Sequence, residues 1–202
     1  MNLGLETGQE ADALITALTG PAQAARLWSV RTLPKGAVCF AAADASSDVF
    51  LLLSGLVKLV YTTETGEDWI KSFVLDRGVF SGRGASDAPT GQSYGAVCLE
   101  PCRFVRLPRQ FVERLVATDQ KVGQAYGAFS AWVLARKQAR EAALLTMTPE
   151  ARFRNLLTQA TEALARLPQA DVARFLGITP IAFSRIKRRI QLSTAMNRTK
   201  PG

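Results

Sequence analysis

Apolar positions in the first half of the chain come in short runs: Val49 to Leu53, Leu56 to Tyr61, Trp69 to Leu75, Ala96 to Leu99 and Phe104 to Leu107. Turn signals separate them, namely Lys35-Gly36, Ser54-Gly55, Thr65-Gly66-Glu67-Asp68, Asp76-Arg77-Gly78 and Pro101. Strands of this length at spacings of about 8 to 15 residues predict a sandwich or jelly-roll barrel between Pro34 and Leu107. Residues 10–30, ahead of it, read as helix. After Leu107 the texture turns helical. Pro108 opens a short helix through Val116, and Thr118-Asp119 can cap a longer one to about Thr146. Val122 and Phe129 fall seven apart on it, as do Tyr126 and Val133, with Ala125 and Trp132 beside them. Such a heptad-like stripe predicts a two-chain seam through Val122, Tyr126, Phe129 and Val133; the alternative is that it packs on its own barrel.

The pattern is most specific between Leu167 and Ile190. Pro168 can start a short helix on which Val172, Phe175 and Leu176 form an apolar stripe, with small Ala173 permitting close approach of a neighbour. Gly177 ends it, Ile178 fills the corner, and Thr179 supplies an N-cap oxygen just before Pro180 at the first position of a second helix. On that helix Phe183, Ile186 and Ile190 line a buried face. Ile181, Ser184, Arg185 and Arg188 line the opposite one, with Lys187 and Arg189 on its flanks. A cap, a glycine turn and a basic outward face in this order predict a helix-turn-helix whose second helix enters the major groove. The bland alternative for the charges is a solvated face. Only twelve residues follow Ile190. They are too few for a full β-wing and read as a flexible basic tail.

Charge sharpens this picture. The formal net charge is +8, and residues 142–202 carry ten Lys or Arg against three Asp or Glu, leaving the first 141 residues almost neutral. An uneven balance of this kind points to a polyanionic partner for the basic end. No run of about 18 apolar residues and no leader pattern is evident, so a cytoplasmic protein without a membrane partner is expected. The chain has no histidine. That removes histidine acid-base chemistry, Ser-His and Cys-His nucleophile pairs, the usual zinc sites and histidine-ligated haem. No pair of acids stands out, so no enzyme, no metal and no cofactor are expected. Cys39, Cys98 and Cys102 are read as reduced core thiols, Cys98 and Cys102 lying about 13 Å apart on an extended chain, too far for a disulfide.

A jelly roll, a long helix and a C-terminal helix-turn-helix, in this order, resemble the Crp/Fnr family of bacterial transcription regulators. The resemblance spans nearly the whole chain and is closest over Pro168 to Pro180 and Ser184-Arg185-Ile186. Gly36, Ser54-Gly55-Leu56-Val57, Gly66 and Asp76-Arg77-Gly78-Val79-Phe80 fall where that family places its jelly-roll glycines. It implies an α+β fold in three parts. These are a cyclic-nucleotide-binding-like jelly roll with flanking helices over 1–116, a dimerisation helix over 117–146 and a helix-turn-helix domain over 147–202. It also implies a homodimer on palindromic double-stranded DNA read through Thr179, Ile181, Ser184, Arg185, Lys187, Arg188 and Arg189. Arg185 matches the family's base-reading arginine, and RNA polymerase is a further implied partner.

Departures from the family pattern bear on its effector. Relatives that bind cyclic AMP hold the ribose with a Glu after Gly and the phosphate with an Arg before Ser or Thr. Here these segments read Phe80-Ser81-Gly82-Arg83 and Gln92-Ser93-Tyr94. Gln92 offers no charge and no bidentate fork to a phosphate, so cyclic AMP is not the expected effector. Arg83, Gln92 and Ser93 remain candidates for another anion, with Trp69 or Tyr94 to stack on a ring; a closed barrel end is the alternative. The four cysteines of the oxygen-sensing branch are absent, as is histidine for haem. Pro180 and Ile181 replace polar base readers, which suits contact with a thymine methyl. A second function class stays open: a ligand-sensing or protein-docking module whose helix-turn-helix does not read DNA.

Overall fold

The computed structural model describes residues 8–42, 48–82 and 94–198, without the side chains of 193–198. An N-terminal helix α1 (Gln9–Ala24) precedes eight strands: β1 (Val30–Leu33), β2 (Val38–Phe40), β3 (Val49–Ser54), β4 (Leu56–Thr62), β5 (Asp68–Leu75), β6 (Gly78–Ser81), β7 (Gly95–Cys98) and β8 (Cys102–Leu107). Six helices follow: α2 (Arg109–Thr118), α3 (Gln120–Thr146), α4 (Pro149–Gln159), α5 (Thr161–Arg166), α6 (Gln169–Phe175) and α7 (Pro180–Arg198). The strands form two four-stranded antiparallel sheets, ordered β1-β8-β3-β6 and β2-β7-β4-β5. Sequence patterning located five of the eight strands. It missed β1, whose side chains are largely exposed, β2, which is only three residues long, and β6, whose first residue belongs to the turn signal Asp76-Arg77-Gly78.

The apolar runs are continuous because both faces of both sheets are covered. Phe50 and Leu52 of β3, Val57 and Leu59 of β4, and Phe104 of β8 point between the sheets, with Phe40 and Phe80. Phe50 stacks on Phe80 at 4.9 Å between ring centroids. Leu51, Val105 and Leu107 face outward onto Leu14, Ile15 and Leu18 of α1, onto α2, and onto Val122 of α3. On the far side Leu56, Val60, Ile70, Phe73 and Leu75 pack against Phe153, Leu156, Val172, Phe175 and Phe183 of the C-terminal helices. A strand buried on two faces needs apolar side chains at consecutive positions, and alternation is lost.

Asp119 caps α3, its carboxylate accepting from the Lys121 and Val122 amides at 2.9 and 3.1 Å. At 27 residues the helix is about 40 Å long and joins the α1 cluster to the C-terminal one. The tail departs from expectation: α7 continues without a break to Arg198. The cysteine geometry also needs correction. A tight turn through Leu99, Glu100 and Pro101 carries the chain from β7 in one sheet to β8 in the other, so Cys98 and Cys102 flank a turn instead of sharing one extended strand, and their thiols hydrogen-bond to each other.

Gly55 lets the turn at Pro101 and Cys102 approach closely. Its φ is +119°, and a β-carbon there would lie 2.7 Å from Cys102 Sγ and 2.9 Å from the Pro101 carbonyl oxygen. Gly66 shares a positive φ of +80° but faces open space. In urea unfolding, Gly55→Ala is therefore expected to lose about 2 to 3 kcal/mol, against about 1 kcal/mol for Gly66→Ala. Equal losses would show that backbone strain alone, not the close approach of the turn, sets the cost.

Candidate nucleic-acid interface and effector cleft

The helix-turn-helix is closed by its own backbone. At the end of α6 the Ile178 amide donates to the Ala173 carbonyl at 3.1 Å and the Gly177 amide to the Arg174 carbonyl at 3.2 Å. This is the paired bonding that a left-handed glycine permits, and Gly177 has a φ of +73°. Thr179 Oγ1 then accepts from the Ala182 amide at 3.2 Å to start α7. Phe183 and Ile190 are buried and Ile186 is partly so, as the apolar spacing required. Phe153 meets Phe183 edge-on at 4.7 Å.

The opposite face of α7 is open. Ile181 is 69% exposed; Thr179, Ser184, Arg185, Arg188 and Arg189 are exposed and Lys187 is half-buried. Ile181, Ser184, Arg185 and Arg188 fall on one side of α7, with Lys187 and Arg189 on opposite flanks, and the seven are not equally free. Thr179 is occupied as the cap, and Ser184 Oγ donates to the Pro180 carbonyl at 3.0 Å. Arg189 pairs with Glu150 of α4 at 3.0 Å. Arg154 and then Arg189 hydrogen-bond Glu150 and hold its carboxyl below the usual range. Among the described residues Arg185 and Arg188 have no ion-pair partner, which leaves them available to bases or phosphates.

Side chains from several helices fasten this unit to the barrel. Lys58 of β4 and Asp171 of α6 form a buried ion pair at 3.1 Å. Arg166 of α5 pairs with Asp76 at 2.6 Å and with Glu100 in the turn between β7 and β8. Arg140 of α3 donates to the Ile70 carbonyl of β5 and to the Phe175 carbonyl, both at 3.0 Å. The guanidinium of Arg152 is buried and gives hydrogen bonds to the carbonyls of Met147 at 2.6 Å and Leu176 at 2.8 Å.

Arg140 also belongs to a cleft of about 600 Å³ between α3 and the β4–β6 side of the barrel, lined in addition by Tyr61, Lys71, Tyr94, Trp132, Arg136 and Lys137. Lys71 Nζ sits 3.9 Å from the Tyr94 ring centre, and the Arg136 guanidinium lies 4.2 Å from that of Trp132. Burial, then the charges of Lys137 and Arg140, lowers the Lys71 pKa to about 8. Burial, with Tyr61 nearby, raises that of Tyr94 to about 12. Four cations and three aromatic rings around one opening suit an anion that carries a ring. Among the described residues no group of three or more His, Cys, Asp or Glu is arranged to hold a metal ion, and no helix is long and apolar enough to cross a membrane.

Residues 30–119 match the cyclic nucleotide-binding domain family. Among solved structures, FixK2 from Bradyrhizobium japonicum superposes with a TM-score of 0.70 at 18% identity, covering 82% of this chain and 85% of that one. The c-di-GMP-responsive global regulator CLP from Xanthomonas campestris gives 0.71 at 11%, with coverages of 88% and 93%. A protein from Eubacterium rectale, described as a transcriptional regulator of the Crp/Fnr family, gives 0.66 at 11%, with 93% and 85%. The chain has the Crp/Fnr-type regulator fold. No curated protein matches the sequence at a significant level.

Within this Crp/Fnr-type fold the expected effector residues Arg83, Gln92 and Ser93 lie outside the described residues. Tyr94 does line the cleft, whereas Trp69 does not. The cations Lys71, Arg136, Lys137 and Arg140 escaped sequence reading. The one available signal was the i, i+1, i+4 spacing of the last three on a long helix. The seam needs correction as well. Val122 is fully buried against α1 within its own chain, and Tyr126 and Phe129 pack partly on the same cluster. Val133 lines the cleft. Val122 is therefore removed from the seam, since it packs wholly on the chain's own helices; Tyr126, Phe129 and Val133 are only partly covered there.

Lys71 carries a pH signature. Its folded pKa is depressed from 10.5 to about 8. The unfolded chain therefore binds the extra proton between those values, and stability contributed at this site rises with pH from about 8 to 10.5. Urea unfolding is expected to show this rise in the natural chain and a smaller one in Lys71→Met. Identical slopes would mean that Lys71 is not desolvated.

Proposed function

We propose that this chain is a dimeric, sequence-specific DNA-binding transcription regulator that reads a palindromic site through α7. The observation that carries the reading is a helix-turn-helix whose cap and glycine turn are formed and whose outer face leaves Arg185 and Arg188 unpaired among the described residues. Arg185 is assigned to a guanine edge, Ile181 to a thymine methyl, and Thr179, Ser184, Lys187, Arg188 and Arg189 to the backbone and flanking positions. The role is non-catalytic and cytoplasmic, with RNA polymerase as the further partner. The regulators of similar fold from Xanthomonas campestris and Eubacterium rectale support the general role.

Cyclic AMP is not assigned as effector, because Arg83 and Gln92 replace the acid and the arginine that would hold its ribose and phosphate. Arg83, Gln92 and Ser93 remain assigned to an anion. The cleft beside α3 favours an anionic ligand with a ring, held from the helix side by Lys71, Arg136, Lys137 and Arg140.

The dimer seam is assigned to the exposed stripe of α3, in place of Val122, Tyr126, Phe129 and Val133. Gly127, Ala131, Leu134, Gln138 and Leu145 repeat at near-heptad spacing, with Leu134 56% and Leu145 78% exposed. Small residues there would let two helices approach closely, and the two leucines supply the apolar contact.

Selection of a random duplex DNA pool by the purified protein, without added ligand, tests the reading. A two-fold-symmetric motif with half-sites about one helical turn apart is expected. Arg185→Ala should lose about 1 to 3 kcal/mol at one base position. Recovery of unenriched DNA by the natural chain would instead favour a docking or ligand-sensing module that does not read sequence. Light scattering after size exclusion should find a dimer for the natural chain and a monomer for Leu134→Glu. A dimeric Leu134→Glu would place the seam elsewhere.

A further inference from the structure

The three cysteines, which the sequence scatters over two regions, meet in the folded barrel. Cys39 Sγ lies 3.5 Å from Cys98 Sγ. Cys98 in turn hydrogen-bonds with Cys102, whose thiol also donates to the Glu100 carbonyl at 3.2 Å and the Leu56 carbonyl at 3.4 Å. The first contact has a definite structural cause. β2 pairs with β7 through Val38 opposite Val97 and Phe40 opposite Ala96, so Cys39 is the extra residue of a β-bulge. A bulge re-aims side chains. It lets Cys39 and Phe40 both turn toward the barrel interior, where Cys98 already points.

The three thiols are not equivalent. Cys98 and Cys102 are fully buried, whereas Cys39 is half-buried on a strand whose neighbour Val38 is exposed. The hydrogen bond from Cys98 lowers the Cys39 pKa despite burial. Cys98 receives a hydrogen bond from Cys102, but its bond to Cys39 and its burial push it up to about 12. Its bond to Cys98, together with burial, raises Cys102. The thiolate therefore forms first at the one sulfur that solvent can reach, with a protonated thiol in contact behind it.

We propose that Cys39 and Cys98 are a hydroperoxide-oxidised dithiol site, Cys39 attacking the oxidant and Cys98 closing the disulfide. The Cys39 thiolate attacks one peroxide oxygen; an S–O bond forms, the O–O bond breaks, and hydroxide leaves to be protonated by solvent. Cys98 sulfur then attacks Cys39 sulfur. The S–S bond forms, the S–O bond breaks, and the departing hydroxide takes the Cys98 proton as water. Two thiols are oxidised by two electrons and one peroxide becomes two water-level oxygens.

Closure has a place to act. The sulfurs must approach from 3.5 Å to about 2.05 Å, drawing Cys98 toward Cys39 and away from Cys102. Cys98 ends β7 at the turn whose Glu100 holds Arg166 of α5, and Leu99 in that turn packs against the C-terminal helices. Oxidation in the barrel is thereby coupled to the seating of the helix-turn-helix.

The test uses the full chain, reduced and then exposed to stoichiometric hydrogen peroxide. Remaining thiols are alkylated, and the protein is peptide-mapped without reduction. A cross-linked Cys39–Cys98 peptide, two hydrogen masses lighter than its parts and lost on adding dithiothreitol, is the expected result. Cys98→Ser should accumulate a dimedone-reactive sulfenic acid at Cys39, and Cys39→Ser should leave Cys98 unmodified. A Cys98–Cys102 link, or Cys39 passing to sulfinic acid without any link, would overturn the proposal. Should Cys98→Ser fail to fold, the map of the natural chain decides alone. Hydrogen exchange in α5 should rise on oxidation of the natural chain and not of Cys39→Ser; unchanged exchange would refute the coupling. None of these readouts uses DNA, so loss of the DNA-reading proposal and loss of this one are distinguishable.

Discussion

The helix-turn-helix unit does not complete its own core. Val172, Phe175 and Leu176 of α6 and Phe153 and Leu156 of α4 are buried in a cluster that also contains Ile70, Phe73 and Leu75 of the barrel. Phe73 meets Phe175 at 5.4 Å between ring centroids. Removing the sheet would put these side chains in water, at a cost of about 1.5 to 3 kcal/mol for each large one. The placement of α7, the shape of the cleft and the reach of the turn between Cys98 and Cys102 all depend on this shared face. The Lys58–Asp171 pair fixes its register. A buried pair of this sort adds little net stability, yet losing one partner leaves an unpaired charge, so wrong seatings are penalised more than the right one is rewarded.

The cleft sits where such a shared face can be adjusted. Its cations are close enough that Lys71 is discouraged from holding a proton, and Arg140 lends its guanidinium to carbonyls on the barrel and on α6 together. An anion bound there would relieve the repulsion around Lys71 and draw on Arg140. Binding energy in the cleft and docking energy at the shared face thus pass through one side chain, which is the physical content of coupling between two sites.

How much of this was legible in the sequence differs by element. The helix-turn-helix was readable almost residue by residue, because capping and left-handed turns depend on local chemistry: Thr179, Pro180 and Gly177 do what their types dictate. β3, β4 and β5 were legible as apolar runs, while β1 was hidden by exposed Arg31 and Thr32, β2 by brevity and β6 by the turn signal Asp76-Arg77-Gly78 at its start. The α3 stripe was found but its partner was not, since spacing says that Val122 must be buried and not against what. α1 supplies that partner within the chain. Lys71 and Arg140 are 69 residues apart and looked like separate solvated charges. The cysteine cluster needed the Pro101 turn to be recognised as carrying the chain from β7 in one sheet to β8 in the other, and the bulge at Cys39 has no sequence marker. Arg83, Gln92 and Ser93, the expected effector residues, fall outside the described residues.

The ion pair between Arg189 and Glu150 gives α7 an internal rival for its ligand. Glu150 presents a carboxylate to α7 much as a backbone phosphate would, and on the proposed reading Arg189 would have to leave it to engage DNA. That exchange costs the same on any sequence, while the compensation comes only where the rest of the helix fits. On the proposed reading, a carboxylate acting as a resident phosphate mimic lowers affinity for every duplex alike, and discrimination between sites is left to the side chains that reach base edges.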